Sequence, residues 1–202
     1  MRAGTRTEFV AGPAGKIECA VEFPASEPRG VALVAHPHPL FGGTLDNKVV
    51  QTLARAFVEL GYTVWRPNFR GVGESEGSHD EGRGELEDLA AVIGYLKSEK
   101  PVLAGFSFGA AIQARLAQRL VKEGNPASRM VLVGVAVKTL EVPPVPAGTI
   151  VIHGERDTTV LLADVLAWAR PQDLPVVVVP GADHFFHRRL HVLRAIIQNN
   201  WK

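Results

Sequence analysis

Pro101-Val102-Leu103-Ala104-Gly105-Phe106-Ser107-Phe108-Gly109-Ala110-Ala111 runs from a short apolar segment, through a Gly-x-Ser-x-Gly pattern, into a stretch of helical spacing. A brief apolar run bounded by turn residues reads as a buried strand. Beyond Phe108, the residues Ile112, Leu116 and Leu120 recur at intervals that put them on one face of a helix over 108–121. A serine in a sharp strand-to-helix turn needs glycine on both sides for clearance. The turn lifts the hydroxyl to the top of the sheet, and the helix amino terminus beneath favours developing negative charge.

The same alternation extends along the chain. Apolar runs rich in Val and Ile at 17–23, 31–35, 62–66, 102–105, 130–135, 149–152 and 176–179 read as strands, several of them apolar throughout and so covered on both faces. Helical spacing occupies 47–60, 84–96, 108–121, 161–170 and 185–198. Segments 7–10 and 17–23 are separated by Gly12-Pro13-Ala14-Gly15 and read as an antiparallel hairpin at one edge. The expected fold is therefore α/β, a mostly parallel twisted sheet of about seven to eight strands with helices on both faces. There are no repeats or long linkers, so one domain over 1–202 is expected. In such sheets ligands bind at the carboxyl ends of the strands.

Composition narrows the class. At 202 residues with 46% hydrophobic and 21% charged residues, the chain can bury one sizeable core and is not disordered. A formal net charge of +1 removes the charge argument for a nucleic-acid or anionic-membrane partner. Cys19 is the single cysteine, which excludes an internal disulfide and a Cys-rich zinc module. Residues 1–20 hold no apolar stretch of signal length, and the apolar run 130–137 is far short of a membrane span of about 20 residues. A cytoplasmic location is the default expectation.

A nucleophilic serine needs a base, and the base an orienting carboxylate. Asp157 follows the apolar strand in Val151-Ile152-His153-Gly154-Glu155-Arg156-Asp157, with Glu155 as its competitor. His184 follows the next strand in Pro180-Gly181-Ala182-Asp183-His184-Phe185, in the loop or the first turn of the last helix. His153 falls within its strand, His187 and His191 within the last helix, and Asp183 reads as a helix cap. The order Ser107, Asp157, His184 comes from three successive strand ends and matches that of nucleophile-elbow hydrolases. A second Gly-x-Ser-x-Gly, at Gly73-Glu74-Ser75-Glu76-Gly77, lacks a strand running into it and is flanked by carboxylates; it reads as a solvated loop.

Together, Ala35-His36-Pro37-His38-Pro39-Leu40-Phe41-Gly42-Gly43, Arg70-Gly71-Val72-Gly73-Glu74-Ser75 and the segments around Ser107, Asp157 and His184 resemble the α/β-hydrolase superfamily. The likeness is to its small cap-less bacterial branch of predicted serine esterases, related to the dienelactone hydrolases, and covers nearly the whole chain. It implies Ser107 as nucleophile, His184 as general base and Asp157 as orienting acid. Four departures stand out. His36-Pro37-His38-Pro39 replaces the usual His-Gly turn, Asn68 stands where Asp often opens the Arg-Gly loop, and Leu161 where relatives carry Pro. Ser107 occupies the position that is Cys in dienelactone hydrolases, so their lactone substrate is not carried over.

Acyl transfer needs fixed N–H donors for the oxyanion. Phe108, directly after the serine, is the first expected donor, and Leu40 or Phe41 the second, because Pro37 and Pro39 have no N–H. Leu40, Phe41, Phe108 and His38 are the expected substrate-contacting walls. His36 and His38 lack nearby Cys or acidic co-ligands, so no metal is expected, and no dinucleotide or Walker motif implies a cofactor. Only 134–148 separates two strands where larger relatives insert a cap, so an open, shallow site for short-chain esters or thioesters is expected, on a monomer or small homo-oligomer. The same residues would also serve an acyltransferase or thioesterase, or persist in a non-catalytic binding protein.

Overall fold

The computed structural model describes residues 4–201; residues 1–3 and 202, which the expected domain span of 1–202 takes in, lie outside the described residues. Eight strands form one sheet: β1 (Thr5–Gly12), β2 (Gly15–Glu22), β3 (Val31–Ala35), β4 (Thr63–Pro67), β5 (Val102–Phe106), β6 (Arg129–Val133), β7 (Ile150–Gly154) and β8 (Val176–Val179). Five helices accompany them: α1 (Lys48–Glu59), α2 (Arg83–Leu96), α3 (Phe108–Lys122), α4 (Leu162–Ala169) and α5 (Leu190–Asn200). The spatial order is β1-β2-β4-β3-β5-β6-β7-β8. The β1–β2 hairpin and the β2–β4 pair are antiparallel, and every pair from β4–β3 to β7–β8 is parallel.

Burial on both faces follows from continuous apolar strands alternating their side chains. In β3, Leu33 and Ala35 join a core cluster with residues of α2, α3 and α4, while Ala32 and Val34 join one with α1 and α5. Two helices thus cover one face and three the other. Helix α1 starts where Asn47 Oδ1 accepts the N–H groups of Val49 (2.9 Å) and Val50 (3.5 Å), satisfying donors a helix start leaves free. Helix α2 is tied to the β4–α2 loop by a two-pronged pair of Arg70 with Asp88 at 2.8 and 2.7 Å. Gly84 makes this possible, since a Cβ there would sit 1.9 Å from the Arg70 guanidinium. No helix or strand interrupts 134–149, so no cap domain covers the strand ends.

The last helix departs from the sequence reading. It begins at Leu190, not near 185. Phe186 (φ 53°) and Arg188 (φ 60°) adopt left-handed backbone that no helix accommodates. Asp183 caps no helix; its Oδ1 accepts the His187 N–H at 3.0 Å and closes a tight turn. His187 therefore lies in that turn rather than within the helix.

Candidate active site

Ser107 sits between β5 and α3 with φ 56° and ψ −116°, a strained conformation for a residue with a side chain. The turn closes because its glycines have no Cβ: one on Gly105 would lie 2.6 Å from Ala110 N, and one on Gly109 would lie 2.4 Å from His36 O. Ser107 N–H donates to Val133 O at 2.9 Å, and Ser107 O accepts the Ala110 and Ala111 amides, so the elbow is locked to β6 and to its own helix.

The structure brings three of the sequence-predicted residues into one hydrogen-bonded chain. His184 Nε2 lies 3.0 Å from Ser107 Oγ, and His184 Nδ1 lies 2.6 Å from Asp157 Oδ2. Asp157 Oδ1 accepts the amides of Thr159 (2.9 Å) and Val160 (2.8 Å), which fixes the carboxylate in a turn beyond β7. All three side chains are nearly buried, and Ser107 is 8% exposed. Glu155 is turned away, its Oε2 accepting the Gly181 N–H at 2.7 Å. His187 pairs instead with Asp183 at 2.7 Å and is exposed, and His191 is exposed on α5.

Two further residues, Gly134 and His153, border this hydrogen-bonded chain and are not among its expected members. Gly134 has φ 53°, and a Cβ there would stand 3.2 Å from His184 Cε1, so its missing side chain makes room for the imidazole. A glycine directly after the β6 apolar run is the one available hint. Buried His153 lies under the carboxylate: Nε2 donates to Val160 O at 2.9 Å and is 3.5 Å from Asp157 Oδ2. Its Nδ1 has no partner among the described residues. Burial lowers its pKa, against an opposing pull from Asp157, and the ring is neutral with its proton on Nε2.

The loop after β3 crosses the start of α3. His36 holds its base: Nδ1–H donates to Pro37 O at 2.7 Å and Nε2 accepts Phe69 N–H at 2.9 Å. Burial pushes its pKa down to about 4. The amide of Phe108 is the first in α3 and has no acceptor one turn back in the helix. Of the other two expected donors, Phe41 N–H is engaged by His38 O at 3.1 Å, whereas Leu40 N–H makes a longer contact, 3.3 Å, with His38 Nδ1. Of the two, Leu40 has the longer amide contact.

The expected walls divide. Leu40 and Phe41 are 68% and 85% exposed, but the Phe108 ring is 1% exposed. It packs against Phe69, His38 and His79, with ring centres 5.5, 4.8 and 5.6 Å away. The Phe108 ring is therefore part of the packing beneath the loop after β3 and not an exposed wall. His38 bridges these layers, with its pKa lowered by burial and by nearby His79.

Ser75 corrects the reading of the second motif as a solvated loop. It is 6% exposed; its Oγ donates to Asn68 O (2.8 Å) and accepts Glu18 N–H (2.9 Å), pinning the β4–α2 loop to β2. Asn68, the departure from Asp, is likewise structural: Oδ1 accepts Leu45 N–H and Nδ2 donates to Glu18, each at 2.8 Å.

Comparison with known proteins places this geometry. Residues 38–148 match the model of the alpha/beta hydrolase fold family. An uncharacterised protein of Rickettsia prowazekii is 34% identical over 193 residues, covering 87% of this chain and 79% of its own. A Xanthomonas campestris protein described as an α/β serine hydrolase without lid superposes with a TM-score of 0.88 at 35% identity, over 99% of this chain and 94% of its own. A Coxiella burnetii α/β serine hydrolase homologue gives 0.85 at 34% identity, over 100% and 99%.

Proposed function

The chain belongs to the α/β-hydrolase fold family, and from that premise we propose that its residues act as one lid-less serine hydrolase of short-chain carboxylic esters or thioesters. The observation that carries this is the continuous chain from Asp157 Oδ2 through His184 to Ser107 Oγ, at 2.6 and 3.0 Å. His184 Nε2 takes the Ser107 proton as Oγ bonds to the acyl carbon, and the carbonyl electron pair moves onto oxygen. The Phe108 amide, with Leu40 released from His38, donates to that oxyanion. Collapse breaks the bond to the alcohol or thiol, which leaves with the proton from His184. Water then gives a proton to His184 and attacks the acyl-enzyme, and the second intermediate collapses to the acid as His184 returns that proton to Ser107 Oγ. Asp157 holds the imidazole orientation and stabilises its protonated form. Leu40, Phe41 and His38 contact the substrate.

A fluorophosphonate probe tests this reading. Expected is one adduct per chain, mapped to Ser107 by peptide sequencing and lost in Ser107→Ala and His184→Ala. Folded protein that takes up no probe would overturn the hydrolase mechanism.

A further inference from the structure

We propose that the groove beside His184 binds a carboxylate on the substrate, so that the preferred esters or thioesters pair an apolar segment with an anionic end. The inference rests on the hydrolase reading above and deepens it. A hollow of about 410 Å³ lies between the start of α1 and the turn before α5, lined by Asn47, Lys48, Val49, Phe185, Arg188 and Leu190 among others. That volume sits at the small end of small-molecule sites. It adjoins the chemistry directly, because the Phe185 ring is 5.2 Å from the His184 ring and 5.8 Å from that of Phe106. Phe185 is nevertheless 45% exposed, leaving an aromatic face next to the catalytic imidazole for an apolar chain.

The lining carries the cations Lys48 and Arg188, with His187, and includes no carboxylate. Lys48 and Arg188 are exposed and form no ion pair with any described residue. The carboxylates close by are already engaged: Asp183 with His187 at 2.7 Å, and Asp46 with Gln51 at 3.4 Å and Arg66 at 3.7 Å. The larger hollow beside α3, about 650 Å³, also holds cations, Arg115, Arg119 and Lys122, but none of its lining residues is in ring contact with His184. There Arg119 pairs with Glu87 and Glu123, and Arg115 donates to Glu141 O. An apolar floor with two unmatched cations suits a short chain ending in a carboxylate, on either the acyl or the alcohol side.

The test compares kcat/KM for matched substrates: 4-nitrophenyl glutarate monoester against 4-nitrophenyl pentanoate for an acyl-side anion, and 4-butyryloxybenzoate against its methyl ester for an alcohol-side anion. Expected is a preference for the anionic member of at least one pair. That preference falls about tenfold in Lys48→Met/Arg188→Met, as two partly exposed charge contacts allow, and falls as salt is raised. Lys122→Met, which removes a charge from α3 on the opposite face of the sheet, serves as the control for net charge. Turnover of neutral esters with no anionic preference, or a preference the double variant leaves intact, overturns the groove assignment alone. Absence of turnover on all four, with no probe labelling, overturns the hydrolase reading beneath it.

Discussion

Acidification should unfasten the loop after β3 through His36. Its ring is fully buried, donates Nδ1–H to Pro37 O and accepts Phe69 N–H on Nε2, an arrangement open only to the neutral imidazole. The folded-state pKa of about 4 lies below the ordinary 6.5, so the unfolded chain takes up the proton first. The stabilisation is therefore complete above about pH 6.5 and is lost as pH falls toward 4, at about 1.4 kcal/mol per pH unit. The loss is about 1.4 kcal/mol at pH 5.5 and between about 2 and 3 kcal/mol at pH 4.5. His153, also lowered by burial, acts in the same direction, so a difference measurement is needed. Urea unfolding of wild type and His36→Gln, followed by tryptophan fluorescence from pH 8 to 4.5, supplies it. At pH 8 the variant should be less stable by about 1–2 kcal/mol through the lost hydrogen bonds. That gap should close, then invert, as the pH falls. A gap that stays constant across the range would refute the assignment of the acid-labile step to His36.

Gly134→Ala forces a side chain onto left-handed backbone and to 3.2 Å from His184 Cε1; a loss of about 1–2 kcal/mol in unfolding free energy and a fall of about 10–100-fold in ester turnover are expected, measured on the same preparation. Ser75→Ala strands Asn68 O and Glu18 N–H, costing about 1–3 kcal/mol while fluorophosphonate labelling of Ser107 persists; loss of labelling in a folded variant would show that the second motif takes part in the chemistry. Cys19, fully buried and with its thiol pushed up to about 12 by burial and then by Glu18 and Glu8, should resist Ellman's reagent at pH 8 until the chain is unfolded; immediate reaction of the native protein would contradict the packing around β2.

Much of the fold was legible because its strands are continuous Val- and Ile-rich runs and its helices keep one apolar face. The elbow was legible because a strand, two glycines and a helix are adjacent in sequence. What failed was local backbone that residue type does not announce. Residues 185–189 have helical composition, yet Phe186 and Arg188 take left-handed φ and delay α5 to Leu190. Phe108 reads equally well as a wall or as core, since sequence gives its apolarity and not its direction; Phe69 and His38, distant in sequence, decide it. Ser75 and Asn68 were obscure for the same reason, because their partner Glu18 lies on a strand about 50 residues away.

The segment that positions the candidate site contributes no side chain to its chemistry. Val133 O, at the end of β6, receives the Ser107 amide at 2.9 Å, and Ala136 N–H reaches back to Ser107 O at 3.3 Å. Between them, Gly134 N–H donates to Ile152 O on β7, the strand that leads to Asp157, while the missing Cβ of the same glycine admits His184. Three residues from three different connections are thus referenced to one stretch of backbone between parallel neighbours. Such an arrangement holds the Ser107 strain in place, since relaxing the elbow breaks main-chain bonds to β6 as well as to α3. It also separates what side-chain replacement can probe. Changing Ser107, Asp157 or His184 removes a chemical group, whereas their mutual distances depend on carbonyls and amides that only a backbone-altering change such as Gly134→Ala disturbs.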